Sequence, residues 1–157
     1  MTGILVPLVL LANGLAAGVL LATQLGGWPF LRVLPDADYV RAHAFFSTRY
    51  DPWMPLCLIV TFLGDLTLAV TADGTVAQSL FATSALLALA TGVISLTKNV
   101  PGNRYVQTLE PAQLPADFTE RDPRPVWGPW NRRRSLLGML AFLVNCLALV
   151  AVLSTPL

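Results

Sequence analysis

The chain is poor in charged and titratable side chains. Only 12% of its 157 residues are charged, histidine occurs once and cysteine twice, whereas 55% of the residues are hydrophobic. A soluble domain normally carries about twice that fraction of charged residues. So few histidines and cysteines give no indication of a zinc or iron–sulfur site. A net charge of +1 likewise gives no indication of nucleic acid as a partner.

Four long apolar runs replace the missing charge. Each holds at most one charged residue and approaches the roughly 20 residues that an α-helix needs to cross a bilayer. The first run has no preceding Lys or Arg and is too long for the apolar part of a signal peptide, so we expect it to remain as helix 1. The sequence therefore predicts an all-α, integral membrane four-helix bundle, with residues 1–157 as one domain. The predicted spans are residues 4–23, 54–70, 76–96 and 136–153.

Basic residues occur in only two segments of the chain. Three lie between helices 1 and 2, and seven lie between helices 3 and 4, so alternating spans bring all ten to one face. Because cytoplasmic loops carry an excess of Lys and Arg, we expect both segments in the cytoplasm and both termini outside. The predicted location is the cell membrane, crossed several times. The ten residues are Arg32, Arg41, Arg49, Lys98, Arg104, Arg121, Arg124, Arg132, Arg133 and Arg134.

The first basic segment predicts a short cytoplasmic-side helix between helices 1 and 2. Asp36 or Asp38 caps its start, and it runs to about Tyr50. It either lies in the membrane interface with its aromatic rings at headgroup level, or folds back over the mouth of the bundle. Four side chains recur at helical spacing on one face, Tyr39, His43, Phe46 and Tyr50.

Glycine and proline set the other predicted boundaries. Gly26-Gly27 is expected to end helix 1. Several prolines make residues 110–125 an expected extended loop, because proline removes a backbone donor and fixes φ. Helix 4 is then expected to begin near Pro129, since proline is favoured in a first helical turn.

Asp65 is the only ionisable side chain at mid-membrane depth. Polar groups within a span tend to face the interior of a bundle, where Asn13, Gln24 and Asn145 are possible partners. Such contacts are either packing interactions between helices or part of a functional site. One reading of the chain is accordingly a non-catalytic accessory protein or a small transporter, in which Asp65 carries a coupling ion.

His43 is the only histidine in the chain. With an ordinary pKa near 6.5, imidazole is the natural general base at neutral pH. The alternatives are an interfacial histidine, a soft metal site completed by Met54 and Cys57, and an axial ligand of haem. The cofactor is therefore left open, with none, a metal or haem at His43 as the possibilities.

The entrance to helix 4 carries the most specific pattern. Trp127, Asn131 and Arg134 are spaced by four and three residues, which places an aromatic ring, an amide and a guanidinium on one helical face. Anchoring at the membrane interface is the alternative function of such a face.

Together with Pro101-Gly102-Asn103 after helix 3, this pattern resembles the anthrone oxygenase-like integral membrane family, DUF1772. The resemblance implies oxidation of an aromatic polyketide anthrone to an anthraquinone by O2, in some accounts without a cofactor. Gly128-Pro129 interrupts the stretch that usually continues as helix, so either Trp127 or Trp130 takes the tryptophan position of the family.

That reaction needs a base and hydrogen-bond donors for the enolate oxygen. His43 suits the base, and Asn103, Asn131 and Arg134 suit the oxyanion. The expected partners are the lipid bilayer, a lipophilic aromatic molecule and O2. Close packing at Gly14, Ala17 and Gly18 permits a homo-oligomer. The rings expected to stack on a planar substrate are Tyr39, Phe46, Tyr50, Trp127 and Trp130.

Overall fold

The computed structural model describes residues 2–154, and the regular elements in that range are all helices. Four of them are long and apolar enough to cross a membrane, which confirms the predicted all-α fold with four spans. The protein is therefore a multi-pass membrane protein. In chain order the elements are α1 (Thr2–Ala22), the π-helical segment π1 (Thr23–Gly27), α2 (Trp28–Val33), α3 (Asp36–Tyr50), α4 (Trp53–Thr71), α5 (Thr75–Ile94), the π-helical segment π2 (Ser95–Asn99), α6 (Val100–Gln107), α7 (Phe118–Arg121) and α8 (Arg124–Leu153).

The four spans form a ring in which each packs against two neighbours. Helix α1 contacts α4 and α8, and α5 contacts the same two helices from the other side. Small residues allow close approach at these contacts. Gly138 of α8 is an example, because a Cβ atom there would lie 2.6 Å from Cδ1 of Leu20 in α1.

The bundle is polar in the middle and apolar outside, the reverse of a soluble protein. Leucines on the outer faces, such as Leu63 and Leu143, are more than half exposed and face the region that lipid would occupy. In the interior, Asn145 Nδ2 donates a 3.1 Å hydrogen bond to Asp65 Oδ2. The side chains of this interior polar layer are almost completely buried and comprise Asn13, Thr61, Asp65, Ser84 and Asn145.

Helices 1 and 3 are longer than the sequence predicts. Gly26-Gly27 does not end helix 1, because the chain continues through π1 into α2, and helix 3 continues through π2 to Gln107. A proline, Pro29 or Pro101, is the second residue after each π segment. Proline has no N–H for the carbonyl four residues earlier and its ring crowds that carbonyl, so a wider turn accommodates it without ending the helix.

One predicted helix start and one predicted helix cap are also wrong. Helix α8 begins at Arg124, so the first-turn proline is Pro125, while Pro129 lies within the helix. Helix α3 spans the predicted residues, but Pro35 occupies its N-cap and neither Asp36 nor Asp38 caps it.

The loop before α8 is not simply extended, because residues 118–121 form the short helix α7. Arg124 connects this loop to the start of α3. Its guanidinium pairs with Asp36, donates 2.7 Å from Nε to Asp122 Oδ2, and donates 2.9 Å from Nη1 to the carbonyl of Leu34. The ring of Tyr39 lies 4.5 Å from the guanidinium carbon. These contacts hold the two basic segments together at one end of the bundle.

Membrane orientation stays a prediction that labelling can test. In a chain with Cys57 and Cys146 replaced by alanine, single cysteines are introduced at Thr2 and at Gln113. We expect an impermeant thiol reagent applied to intact cells to label position 2 and to spare position 113, because basic segments remain in the cytoplasm. Labelling of position 113 alone would reverse the assignment.

Candidate functional site

A cavity of about 510 Å³ lies at the basic end of the bundle. Helix α3 crosses this end, and residues of α1, π1, α4, π2, α6 and α8 supply most of the remaining wall. Ile59 of α4 and Leu96 of π2 line the cavity and are also more than half exposed on the outer surface, so the rim between these two helices faces the membrane side. The polar and aromatic lining includes Thr23, His43, Phe46, Ser47, Tyr50, Asp51, Ser95, Asn103, Arg104, Gln107, Trp127 and Arg134.

Three of the five predicted stacking rings line this cavity. They are Phe46, Tyr50 and Trp127, whereas Tyr39 and Trp130 do not line it. Tyr39 is fully buried, because it packs in an apolar cluster with Leu31 and Val106 beneath α3. The ring of Trp130 instead lies between the cations of Lys98 and Arg133, at 5.2 and 4.3 Å. Trp127, within α8, is thus the tryptophan that faces the cavity.

Asn103, His43 and Trp127 meet through a single oxygen atom. The indole Nε1 of Trp127 donates a 2.7 Å hydrogen bond to Asn103 Oδ1, and His43 Nε2 lies 2.9 Å from the same oxygen. The imidazole also packs edge-on against Trp127, with ring centroids 5.0 Å apart. The prolonged helix 3 is what brings Asn103 under α3, 60 residues from His43 in the chain.

This geometry determines the tautomer of His43. Because an indole N–H can only donate, the Asn103 atom facing Trp127 must be the carbonyl oxygen. That oxygen can only accept, so His43 Nε2 carries the hydrogen and donates it. The free lone pair then belongs to Nδ1, which is buried without a hydrogen-bond partner among residues 2–154.

The environment of His43 keeps the imidazole neutral at pH 7. Burial lowers its pKa below the ordinary 6.5, the hydrogen bond with Asn103 acts in the opposite direction, and the nearby Arg134 cation lowers the pKa further. A neutral imidazole is the form required of a general base.

Arg134 also lies beside Trp127. Its guanidinium carbon lies 5.7 Å from the ring centroid, Nε donates 2.9 Å to Asn131 Oδ1, and Nη1 donates 3.2 Å to Ser95 Oγ. Asn131 itself is fully buried and does not line the cavity, so the prediction that it contacts an oxyanion directly is not supported by its position. Its place is behind Arg134, whose orientation it fixes.

Some lining residues were not predicted from the sequence. Ser95 is reached by Arg134 only because of the π turn, and Gln107 Nε2 donates 2.8 Å to Ser47 Oγ across the cavity mouth. No motif indicates either residue. Gln107 has a weak signal, since it follows Asn103 by one helical turn.

The donor set gives little support to a metal or haem at His43. Met54 lines the cavity with His43, but Cys57 does not. Within residues 2–154 no group of three or more His, Cys, Asp and Glu side chains is placed to hold a metal ion. Nε2 of the imidazole donates to Asn103, so Nδ1, which has no partner among residues 2–154, is the one imidazole nitrogen that could bind a metal or a haem iron.

The helix crossing beside the cavity depends on a glycine. A Cβ atom at Gly128 would overlap the indole of Trp28, whose ring lies 5.4 Å from that of Trp127. Gly128→Ala should therefore displace both rings and lower the free energy of unfolding by about 1–3 kcal/mol. The matched control is Gly18→Ala, where nothing lies within 4 Å of the added atom. Thermal unfolding in detergent compares the two, and equal midpoints would contradict the packing described for Trp28.

The fold and cavity define a class, that of helical membrane proteins with a largely apolar site at one end of a four-helix bundle. The comparison with protein families is more specific. Residues 43–144 match the family model described as anthrone oxygenase, which covers more than half of the chain. The chain therefore belongs to the anthrone oxygenase family, as the resemblance predicts. His43, Asn103, Trp127, Asn131 and Arg134 all lie within the matched range. No curated protein and no solved structure gives a match.

Proposed function

We propose that this protein is a membrane-bound oxygenase of the anthrone oxygenase type, which oxidises an aromatic polyketide or similar lipophilic aromatic with O2. The observation that carries the proposal is the presence of a neutral imidazole and a guanidinium that both contact Trp127 in one aromatic-lined cavity. The family supports the reaction class. The exposed rim at Ile59 and Leu96 supports entry of the substrate from the bilayer.

The reaction balances with O2 as the only oxidant. The methylene carbon opposite the carbonyl loses two hydrogens and four electrons and becomes a second carbonyl. One oxygen atom stays on that carbon, and the other leaves as water with both hydrogens. The first step removes a proton from the methylene carbon and places negative charge on the carbonyl oxygen, which makes the ring system electron-rich enough to reduce O2.

We assign the first proton to His43 and the developing charge to Asn103 and Arg134. Since Nε2 of His43 keeps its hydrogen on Asn103, the accepting lone pair is that of Nδ1, which has no hydrogen-bond partner among residues 2–154 and belongs to a residue that lines the cavity. The Asn103 amide nitrogen is free of hydrogen bonds to residues 2–154 and belongs to a lining residue, so it can donate to the substrate oxygen. Preorganised donors in a site that excludes water stabilise such charge strongly.

Oxygen uptake by the purified protein tests the proposed function. Detergent-solubilised full-length protein is mixed with emodin anthrone as a probe, and uptake of one O2 per quinone formed is the expected result. The rate is compared with and without a chelator. If the chelator abolishes oxygen uptake, the reaction needs a metal and is not carried by the protein's side chains alone. Oxygen uptake no faster than the protein-free rate would contradict the proposal.

The interior polar layer favours a second candidate function, ion-coupled transport. Asp65 and Asn13 each keep a buried polar atom that has no hydrogen-bond partner among residues 2–154, as expected where a proton or cation passes. The two functions separate at Asp65→Asn. An amide oxygen can still accept from Asn145, so we expect oxygen uptake to change little. The transporter would be favoured if the unmodified protein has no oxygenase activity but transports a radiolabelled solute into vesicles, and if Asp65→Asn abolishes this transport.

A further inference from the structure

Arg134 is a partly buried cation that has no anionic partner among residues 2–154. The ion pairs formed within residues 2–154 involve Arg41, Arg121 and Arg124, and none involves Arg134. Its two hydrogen bonds go to the neutral oxygens of Asn131 and Ser95. Arg134 therefore keeps a positive charge that no negative charge balances. Removing such a charge from water costs free energy, and a bound anion would reduce that cost.

Part of the guanidinium remains free to bind a ligand. A guanidinium has five N–H donors in a planar fork, and Arg134 uses one from Nε and one from Nη1. Nη2 makes no hydrogen bond to residues 2–154, and Arg134 lines the cavity. The outer edge of such a fork matches two acceptor oxygens of an anion.

No other lining group balances this charge. Asp51 is the only carboxylate among the lining residues, and it lies exposed at the end of α3. Arg104 adds a second positive charge at the exposed side, and burial keeps His43 neutral. The ring of Trp127 lies beside the guanidinium. A ligand whose anionic group binds Arg134 could therefore stack a planar aromatic ring system on Trp127.

We infer that the cavity binds its ligand as an anion, a planar aromatic molecule that carries an ionised carboxylate or phenolate group on the free edge of Arg134. The charged group is present in the ground state, whereas the oxyanion forms only during oxidation. Because Nε and Nη1 each use one N–H, Arg134 keeps three N–H groups, enough for the charged group and for the developing oxyanion. The inference rests on the proposed function only for the planar aromatic body of the ligand. It narrows the substrate class from lipophilic aromatics in general to aromatic acids and acidic phenols.

Equilibrium binding to a ligand that cannot react separates this inference from the oxidation chemistry. Anthraquinone-2-carboxylate is the probe, and its neutral carboxamide is the matched control. For the solubilised full chain, we expect the carboxylate to bind at least about ten-fold more tightly, because hydrogen bonds between ions are stronger than those to neutral groups. Equal affinities would overturn the inference, whereas failure of oxygen uptake with the anion preference intact would overturn only the proposed oxidation.

Variants identify the binding cation. Arg134→Gln should abolish the preference for the carboxylate, while Arg133→Gln, which removes the same charge outside the cavity, should keep it. If Arg134→Gln does not fold, Arg134→Lys should fold and show a reduced preference. A preference that survives Arg134→Gln but disappears in Arg104→Gln would overturn the assignment. Equal competition by dodecyl phosphate, which has no ring, would assign Arg134 to a lipid headgroup and also overturn it.

Discussion

Replacing His43 by alanine should lower the turnover of an anthrone by about 10² to 10⁴, the usual contribution of general acid–base catalysis. The reason is that His43 is the only lining group with a neutral, basic nitrogen at pH 7. The measurement is the initial rate of oxygen uptake at saturating emodin anthrone. Full activity in the alanine variant would exclude His43 as the base.

His43→Gln distinguishes a base from a positioning residue. Its amide nitrogen can replace Nε2 as the donor to Asn103 Oδ1, but it has no basic lone pair. We expect the glutamine variant to unfold at the temperature of the unmodified protein and yet to be as inactive as the alanine variant. Recovery of activity in His43→Gln would mean that His43 only orients Asn103.

The pH dependence of the unmodified enzyme should follow the same imidazole. Since burial lowers the pKa of His43 below 6.5, the active neutral form persists at pH 6.5 and is lost only at lower pH, so kcat/KM should fall on the acidic side. The unfolded chain, whose histidine keeps its ordinary pKa, binds more protons below pH 6.5. The contribution of His43 to stability is therefore lost as the pH falls through that region.

Arg134→Lys should lower kcat by about 10² to 10³, the range found when one preorganised oxyanion donor is removed. An ammonium group keeps the charge but cannot reach Asn131, Ser95 and the cavity at once, because its donors do not form a planar fork. The control is Arg133→Lys on the same helix, whose guanidinium packs on Trp130 away from the cavity. Oxygen uptake is measured for both, together with thermal unfolding. Equal losses in the two variants would indicate a general effect on helix α8 and contradict the assigned role.

Much of the site could be anticipated from helical spacing. The shared face of α3 and the face of Trp127, Asn131 and Arg134 follow from the 3.6-residue period. The positive charge of both connecting segments predicts that the two faces lie at the same end of the bundle. Spacing indicates which residues share a face, but not what packs against that face. The spacing therefore predicts Tyr39 and Asn131 as site residues, whereas in the structure both are buried and neither lines the cavity.

Long-range partners and helix irregularities escaped the sequence for a different reason. Arg124 and Asp36 are 88 residues apart, and nothing in either local pattern specifies their pairing. Gly26-Gly27 predicts the end of helix 1, and Pro101-Gly102-Asn103 is predicted to follow helix 3, because glycine and proline are typical of helix ends. Here each break is absorbed by a wider turn, which one-dimensional patterns do not distinguish from termination.

The π turn at Ser95–Asn99 has a consequence for chain length. Val100 N–H bonds to the carbonyl of Ser95, five residues earlier instead of four, so the turn holds one residue more than an α-helical turn. One residue corresponds to about 100° of rotation in an α-helix. The wider turn absorbs the extra residue, and a strictly α-helical path through the same residues would rotate Asn103 by that angle away from His43. A chain that lacks the extra residue and continues as a regular α-helix can therefore present the same face of α6 to the cavity, with one residue fewer between α5 and the position of Asn103.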